Sequence, residues 1–452
     1  MKQSVEQLTL PFHPELPVVV QFDAPEISSN AGALLLRQAD DALGLTQAFA
    51  ACLPDDRDPR KVEHPRHEQV CQRIFQIALG YEDCNDADRL RHDPVLKTAC
   101  DRSPKDDKGL SSQSTLSRFE NAYDSLTLRR LVRLFEKHYI DSLSPDQEVV
   151  ILDIDSTDDP THGGQQLSFF HGYYDHYMYH PLLLFDGETG QLITALLRPG
   201  KAHASSRTKL VLRRLIRRIR KRCPRAGIVV RADSGFCTPK ILREIERLDE
   251  ELGGVDYLLG IARNAVLQRC LQPTMEAARA RQIGREKVVL FKSFEYSANS
   301  WERRRHVVGK AEYGFRGENP RFVLTSLNQF DPESLYRAYC ERGQCENYIK
   351  DFKNALQADR LSCSTFGANF FRLLLHGVAY RLMLLLRREA AAISEFFGKA
   401  QFDTFRLRLL KVGVQVREST RRILFRLPES FPDAKVFREL ALRLVGLRAS
   451  PT

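Results

Sequence analysis

Apolar positions recur every three or four residues from Asn30 to about Leu143, and this spacing predicts a helical N-terminal region. Leu34, Leu35, Leu36, Ala39, Leu43 and Leu45 lead into Phe49. Val70, Ile74, Phe75, Ile77 and Ala78 follow, and Leu126, Leu128, Leu131, Val132, Leu134 and Phe135 close the series. Turn signals at Pro54-Asp-Asp and Ser103-Pro-Lys-Asp-Asp punctuate it. Ahead of these helices, Val18-Val-Val-Gln-Phe22 reads as a strand or an extended arm. Ser111 to Glu120 reads as a capped helix, either part of a helix-turn-helix or an ordinary packed helix.

At Val149 the period changes from 3.6 to 2. Val149-Val-Ile-Leu-Asp-Ile-Asp155-Ser-Thr157 places Ile151, Asp153 and Asp155 on one face of a strand and Leu152 and Ile154 on the other. An aromatic-rich run, Leu167 to Leu184, and the strand Leu192 to Arg198 predict an antiparallel meander with the first strand. Ser206 to Arg222 predicts a helix with Leu212, Leu215, Ile216 and Ile219 as its apolar stripe. Further strands are predicted at Gly227 to Asp233, Asp256 to Ala262 and Arg321 to Leu327, with a helix from Pro239 to Leu248. Residues 264–320 break this rhythm and read as a mainly β insertion. Pro332 opens a long helix that carries Glu346, and Phe370 to Arg388 forms a strongly apolar helix before a basic, helical C-terminal segment.

The 452 residues are 43% hydrophobic and 28% charged, the composition of a globular chain with room for two to four domains. A net charge of +10 favours a polyanionic partner. The helix from Ser206 sharpens this, since Arg213, Arg214, Arg217 and Arg218 share a face without an acid and are expected to meet phosphates. Ten cysteines without CxxC or zinc spacing read as reduced thiols. The absence of a signal core or a membrane-length apolar run predicts a soluble, cytoplasmic protein with no membrane partner.

Three acids change the picture. Asp155 ends the first strand, Asp233 ends the strand after the basic helix, and Glu346 lies on a later helix. A right-handed crossover lays the first strand beside the fourth, so their carboxylates meet at one sheet edge, where a packed helix adds a third. Three carboxylates suit two Mg²⁺ ions about 3.5–4 Å apart, acting on phosphodiesters by in-line displacement. Around Glu346, Tyr339, Arg342, Lys350 and Lys353 recur at helical spacing. That face is either an ion-pair network or a metal ligand anchored beside a phosphate-binding surface.

Asp155-Ser-Thr, Arg231-Ala-Asp233-Ser-Gly-Phe and Tyr339-x2-Arg342-x3-Glu346-x6-Lys353 resemble the DDE transposases of bacterial insertion sequences. The last string matches the signature of the insertion-sequence family four group. The wording around it, Arg342-Gly-Gln-Cys-Glu-Asn347 and His376-Gly-Val-Ala-Tyr380, looks most like family thirteen-eighty.

The resemblance implies an α/β, ribonuclease-H-like core with a mixed sheet, in two parts (146–263 and 321–365) around the β-rich insertion. A helical DNA-binding domain (1–145) would precede it and a helical region (366–452) would follow. It makes Asp155, Asp233 and Glu346 the catalytic ligands of two Mg²⁺ ions, with Mn²⁺ able to substitute. Asp153 lies on the same strand face as Asp155, but the family wording puts the ligand just before Ser-Thr. Tyr339, Arg342 and Lys353 would contact the phosphates of the DNA end, Lys350 on the same helix face is expected to join them, and Trp301 would be either a base-stacking residue on the insertion or a core residue. The implied function is a nucleoid-associated transposase that binds terminal inverted repeats, cleaves and joins DNA, and works as a homodimer on two ends. The alternatives are another metal-dependent nuclease of this fold and a catalytically idle DNA-binding descendant. His162, His171, His176 and His180 read as packing or substrate contacts.

Overall fold

A computed structural model describes residues 7–449. The chain divides into two compact units, Met1–Glu120 with Leu382–Thr452, and Asn121–Arg381. The division falls short of the expected boundary at residue 145, because the helix Ser125–Ser142 belongs with the central unit.

In the first unit, Ala33–Leu43, Leu45–Ala51 and Arg66–Ala78 bury Leu35, Leu36, Phe49, Ile74 and Phe75, as their periodicity predicts. The C-terminal part is not purely helical. Val414–Ser419 and Arg422–Arg426 form a hairpin, and Ile27–Ser28 adds a third strand to it. Val18–Gln21 is a strand, paired antiparallel with Gln7–Leu10.

The second unit is a mixed α/β assembly. Its strands are β1 (Val149–Ser156), β2 (Phe169–His171), β3 (His176–Tyr179), β4 (Leu182–Asp186), β5 (Leu192–Leu196), β6 (Gly227–Ala232), β7 (Val255–Gly260), β8 (Val288–Tyr296), β9 (Arg305–Gly314) and β10 (Arg321–Thr325). Its helices are α1 (Ser125–Ser142), α2 (Thr208–Arg222), α3 (Pro239–Leu252), α4 (Ala265–Arg281), α5 (Pro332–Cys340), α6 (Gly343–Lys350) and the start of α7 (Phe366–Ala391).

The main sheet runs β8-β9-β10-β7-β6-β1-β4-β5. β1 and β6 are parallel neighbours, in register from Val149 with Gly227 to Ile154 with Ala232. β4 pairs antiparallel with both β1 and β5, which is the expected meander. Between β1 and β4 the aromatic-rich run forms its own small sheet, in which Asp159–Pro160, β3 and β2 pair in that order.

Three expectations need correction. Residues 264–320 are not a separate β module. They begin with α4, and β8 and β9 extend the main sheet through β10, with His306 opposite Thr325. Leu267, Leu271, Val307 and Ala311 lie in the same buried cluster as Leu152 and Val230, so one core runs through both. The long helix after Pro332 is also broken. α5 ends at Cys340, Arg342 N–H bonds back three residues to the Tyr339 carbonyl, and a π turn follows over Asp351–Ala355. Gly343, a poor helix former, sits at the break.

The basic face of α2 is the third correction. Arg213 pairs with Glu244 of α3 at 2.7 Å, and Arg217 pairs with Glu251 at 2.8 Å. Arg214 and Arg218 both pair with Glu136 of α1, at 2.8 and 3.4 Å. The acids that complete this face come from other helices, so no local pattern revealed them. Burial opposes its charge, yet Arg213 and Arg247 hold Glu244 down at about 2. The Glu136 side chain is fully buried. Glu136→Ala is therefore expected to lower stability by about 1–3 kcal/mol, read as a shifted urea midpoint, by leaving two half-buried guanidinium groups unpaired.

Candidate active site

The sequence places an acid at the end of each of two hydrophobic strands, and the sheet register brings them together. Asp155 and Asp233 lie one position beyond the paired Ile154 and Ala232, on neighbouring parallel strands. Alternation points Asp153, Asp155, Arg231 and Asp233 to the same face. Asp153 and Arg231 meet there in a buried two-point ion pair of 2.6 and 2.7 Å, with side chains 0% and 1% exposed. Arg231 also donates to the Ala338 carbonyl near the end of α5, at 2.6 Å. Burial works against the guanidinium charge, but Asp153 outweighs it and holds Arg231 above its ordinary range. Asp153 thus takes a structural position, and Asp155 faces the open cleft.

That cleft has a volume of about 710 Å³. Asp155, Asp233, Glu346, Arg342, Lys350 and Lys353 all line it. Arg342 reaches from the helix break to Asp155 at 2.8 Å and to Glu346 at 3.5 Å, tying the helix to the strand end. Asp155 accepts a second bond from the Ser156 N–H at 2.8 Å. Asp233 accepts from the Gly235 N–H at 2.9 Å, which leaves its other oxygen for the cleft. A Cβ on Gly235 would lie 3.2 Å from that carboxylate and 3.3 Å from the Ala204 methyl, so a larger residue there would have to shift one of them slightly.

Burial pushes Asp155 up to about 6, Arg342 only partly opposes this, and Asp233 adds to the rise. Glu346 is 57% exposed, with Arg342 as its ion-pair partner. Asp155, Asp233 and Glu346 together form a hard-oxygen donor set, with Arg342 in contact with two of them, and such a set fits a hard divalent cation.

The other expected residues divide. Lys350 is exposed at the cleft. Lys353 is drawn aside to Asp158, whose carboxylate it meets at 2.8 Å and whose carbonyl at 2.7 Å. Tyr339 does not line the cleft. It packs beside Leu258, Val308 and Leu335, and its hydroxyl fills the space that a Cβ on Gly260 would need. Trp301 packs against the core, its ring 5.3 Å from Tyr296 and beneath the Arg305 guanidinium at 5.0 Å. Arg213, Arg214, Arg217 and Arg218 are engaged in the ion pairs already described, so acids of neighbouring helices share the face that was expected to carry only cations.

His171 and His180 reach the cleft wall, together with Tyr173, Tyr174 and His203, which the sequence reading did not single out. The available signal was the density of aromatic residues between β1 and β4. His180 Nδ1 meets the Ala202 carbonyl at 2.8 Å. A carbonyl only accepts, so Nδ1 carries the hydrogen. Burial pushes the imidazole down to about 4, which keeps it neutral.

A family model described as Transposase DDE domain group 1 matches residues 11–449. Among solved structures, the chain is similar to the piggyBac transposase in a synaptic complex with hairpin DNA, determined by cryo-electron microscopy. The TM-score is 0.41 and the identity 11%, over 93% of this chain and 82% of that one. No curated protein matches the chain.

Proposed function

The chain belongs to the DDE transposases of group 1, and from that premise we propose that it moves a bacterial insertion sequence of family thirteen-eighty. It binds the terminal inverted repeats, cuts at their boundary and joins the freed ends to target DNA on a ribonuclease-H-like core. The observation that carries this reading is the meeting of Asp155, Asp233 and Glu346 in one cleft, with Arg342 between two of them.

DDE transposases use divalent metals, and Asp155, Asp233 and Glu346 are the residues that would hold two Mg²⁺ ions, with Mn²⁺ able to replace them. When bound, these ions activate the attacking hydroxyl or water and neutralise charge on the leaving oxygen. The chain's own part is positioning. Arg342 holds Asp155 and the α6 end in fixed relation, Asp233 is locked by its turn, and Lys350 is free to meet a phosphate at the rim. Lys353, set by Asp158, adds a second cation to the wall. Two transposon ends must be held together, which calls for a homodimer on DNA. The protein then works in the cytoplasm at the nucleoid.

The test is cleavage of a labelled duplex carrying the element's own terminal repeat, with Mg²⁺ and with EDTA. Metal-dependent nicking at the repeat boundary is expected. Cutting that ignores the repeat would replace this reading with a general nuclease, and repeat binding without cleavage would replace it with an idle DNA-binding protein.

A further inference from the structure

Three helices of the first unit bring Asp40, Thr46, His67 and Cys71 together. Asp40 lies on Ala33–Leu43, Thr46 is the second residue of Leu45–Ala51, and His67 and Cys71 sit one turn apart on Arg66–Ala78. Asp40, Thr46 and Cys71 are 5%, 0% and 1% exposed, and His67 is half-buried. One ligand atom from each of Asp40, His67 and Cys71 lies within 4.8 Å of the other two. His67 Nε2 and Cys71 Sγ are 3.3 Å apart. Thr46 supports the carboxylate, since its N–H donates to one Asp40 oxygen at 2.9 Å and its hydroxyl donates to the other. Gly44 allows this by taking a left-handed backbone, φ 63°, that turns the first helix directly into the second.

Two observations point to an ion. The first is charge. Asp40 is a carboxylate nearly shut off from water, and among the described residues no lysine or arginine pairs with it. Arg37, on the preceding turn, pairs instead with Asp41 at 2.9 Å and Asp101 at 2.7 Å. An enclosed carboxylate is costly unless a cation answers it. The second is donor geometry. Zn²⁺ binds sulfur at about 2.3 Å and imidazole nitrogen at about 2.0–2.1 Å, which sets those atoms about 3.5 Å apart in a tetrahedral site. The separation of His67 Nε2 from Cys71 Sγ is already close to that.

We propose that Asp40, His67 and Cys71 form a zinc site that ties these three helices together. A donor set of one oxygen, one nitrogen and one sulfur suits Zn²⁺, whereas Mg²⁺ prefers the all-oxygen set of the acid cleft. On binding, the Cys71 thiol gives its proton to solvent, and thiolate and carboxylate then balance the two charges of the ion. His67 binds as the neutral imidazole through Nε2, with its hydrogen on Nδ1. Thr46 acts from outside the coordination sphere by fixing the carboxylate, whose oxygens each keep a further lone pair for the ion. The half-exposed edge at His67 is the way in, and a water there fills the fourth position. His67-x3-Cys71 does not announce such a site in the sequence, because its third donor comes from a different helix.

The experiment strips the full chain with EDTA and dialyses it against Zn²⁺ or Co²⁺, with Mg²⁺ in large excess to occupy the cleft acids. Elemental analysis is expected to find one Zn²⁺ per chain. Co²⁺ should give the near-ultraviolet absorption of a cobalt–thiolate bond, which an all-oxygen cleft cannot produce. Cys71→Ala should lose both, and Asp40→Asn and His67→Gln should lose the retained zinc. Thr46→Val should still bind, with affinity lower by about tenfold to a hundredfold. Zn²⁺ should raise the melting temperature of wild type and leave that of Cys71→Ala and His67→Gln unmoved. Circular dichroism checks folding, and if Cys71→Ala does not fold, His67→Gln at its half-buried position carries the same test. A wild type that retains no zinc and shows no cobalt–thiolate band overturns the proposal and leaves the four residues a hydrogen-bonded network. Zinc held equally well by the folded variants places the ion elsewhere and overturns it too. No DNA enters the measurement, so its outcome is separate from that of the transposase reading.

Discussion

Asp155→Asn is expected to abolish repeat-boundary cleavage, with a fall on the order of 10²–10³-fold or more, the scale of losing one group that stabilises a transition state. Asn keeps the size and one acceptor oxygen but loses the charge. The Asp155 side chain is only 14% exposed and Arg342 anchors it at 2.8 Å, so the charge removed is one held in place at the cleft. Asp233→Asn and Glu346→Gln should behave alike, because a donor set missing one carboxylate holds divalent ions weakly. An independent readout is the melting temperature. Mg²⁺ should raise it in wild type, as any ligand of the folded state does, and should raise it less in each variant. Three variants that fold, keep the Mg²⁺ shift and still cut would remove these residues from the active site.

The second large effect belongs to Asp153. Asp153→Ala should destabilise the central unit by about 3–5 kcal/mol, since it leaves the Arg231 guanidinium charged and enclosed with only the exposed Glu341, 3.6 Å away, as an acid partner. The same size of loss is expected for Arg231→Met, which strands the carboxylate. The double variant Asp153→Leu/Arg231→Met should recover much of it, because replacing both charges by apolar groups removes the burial penalty. Urea unfolding of the four proteins forms a double-mutant cycle, and a coupling near zero would refute the pair's structural role. Arg231 also holds the Ala338 carbonyl, so its loss should slow cleavage even where the protein is still folded, by loosening the segment that carries Arg342 and Glu346.

These two predictions separate neighbours on one strand face. Asp153 and Asp155 have the same local pattern, and periodicity cannot tell them apart. The difference lies in what stands opposite on β6. Arg231 faces Asp153 in the register, while Asp155 stands past the end of the ladder at the cleft. The arginines of α2 teach the same lesson in reverse. Their face has no acid within its own helix, and Glu136 and Glu244, from α1 and α3, neutralise it. Net charge alone therefore overstated what that helix offers to phosphates.

Alternating strand residues, the 3.6-residue stripe of α2 and the acid at the end of each core strand were all legible in the chain, because they rest on intervals of two to four residues. From these came the mixed α/β class, the β1–β6 neighbourhood and the three carboxylates that share the cleft. Tertiary structure alone decided which contacts those residues make. It turned Tyr339 inward against Gly260, pulled Lys353 to Asp158, merged the supposed insertion into the main sheet and set an aromatic hairpin beside the acids. Each of these depends on partners far apart in sequence. A side chain's local interval sets its face, but its partner is set by register and packing across the whole unit.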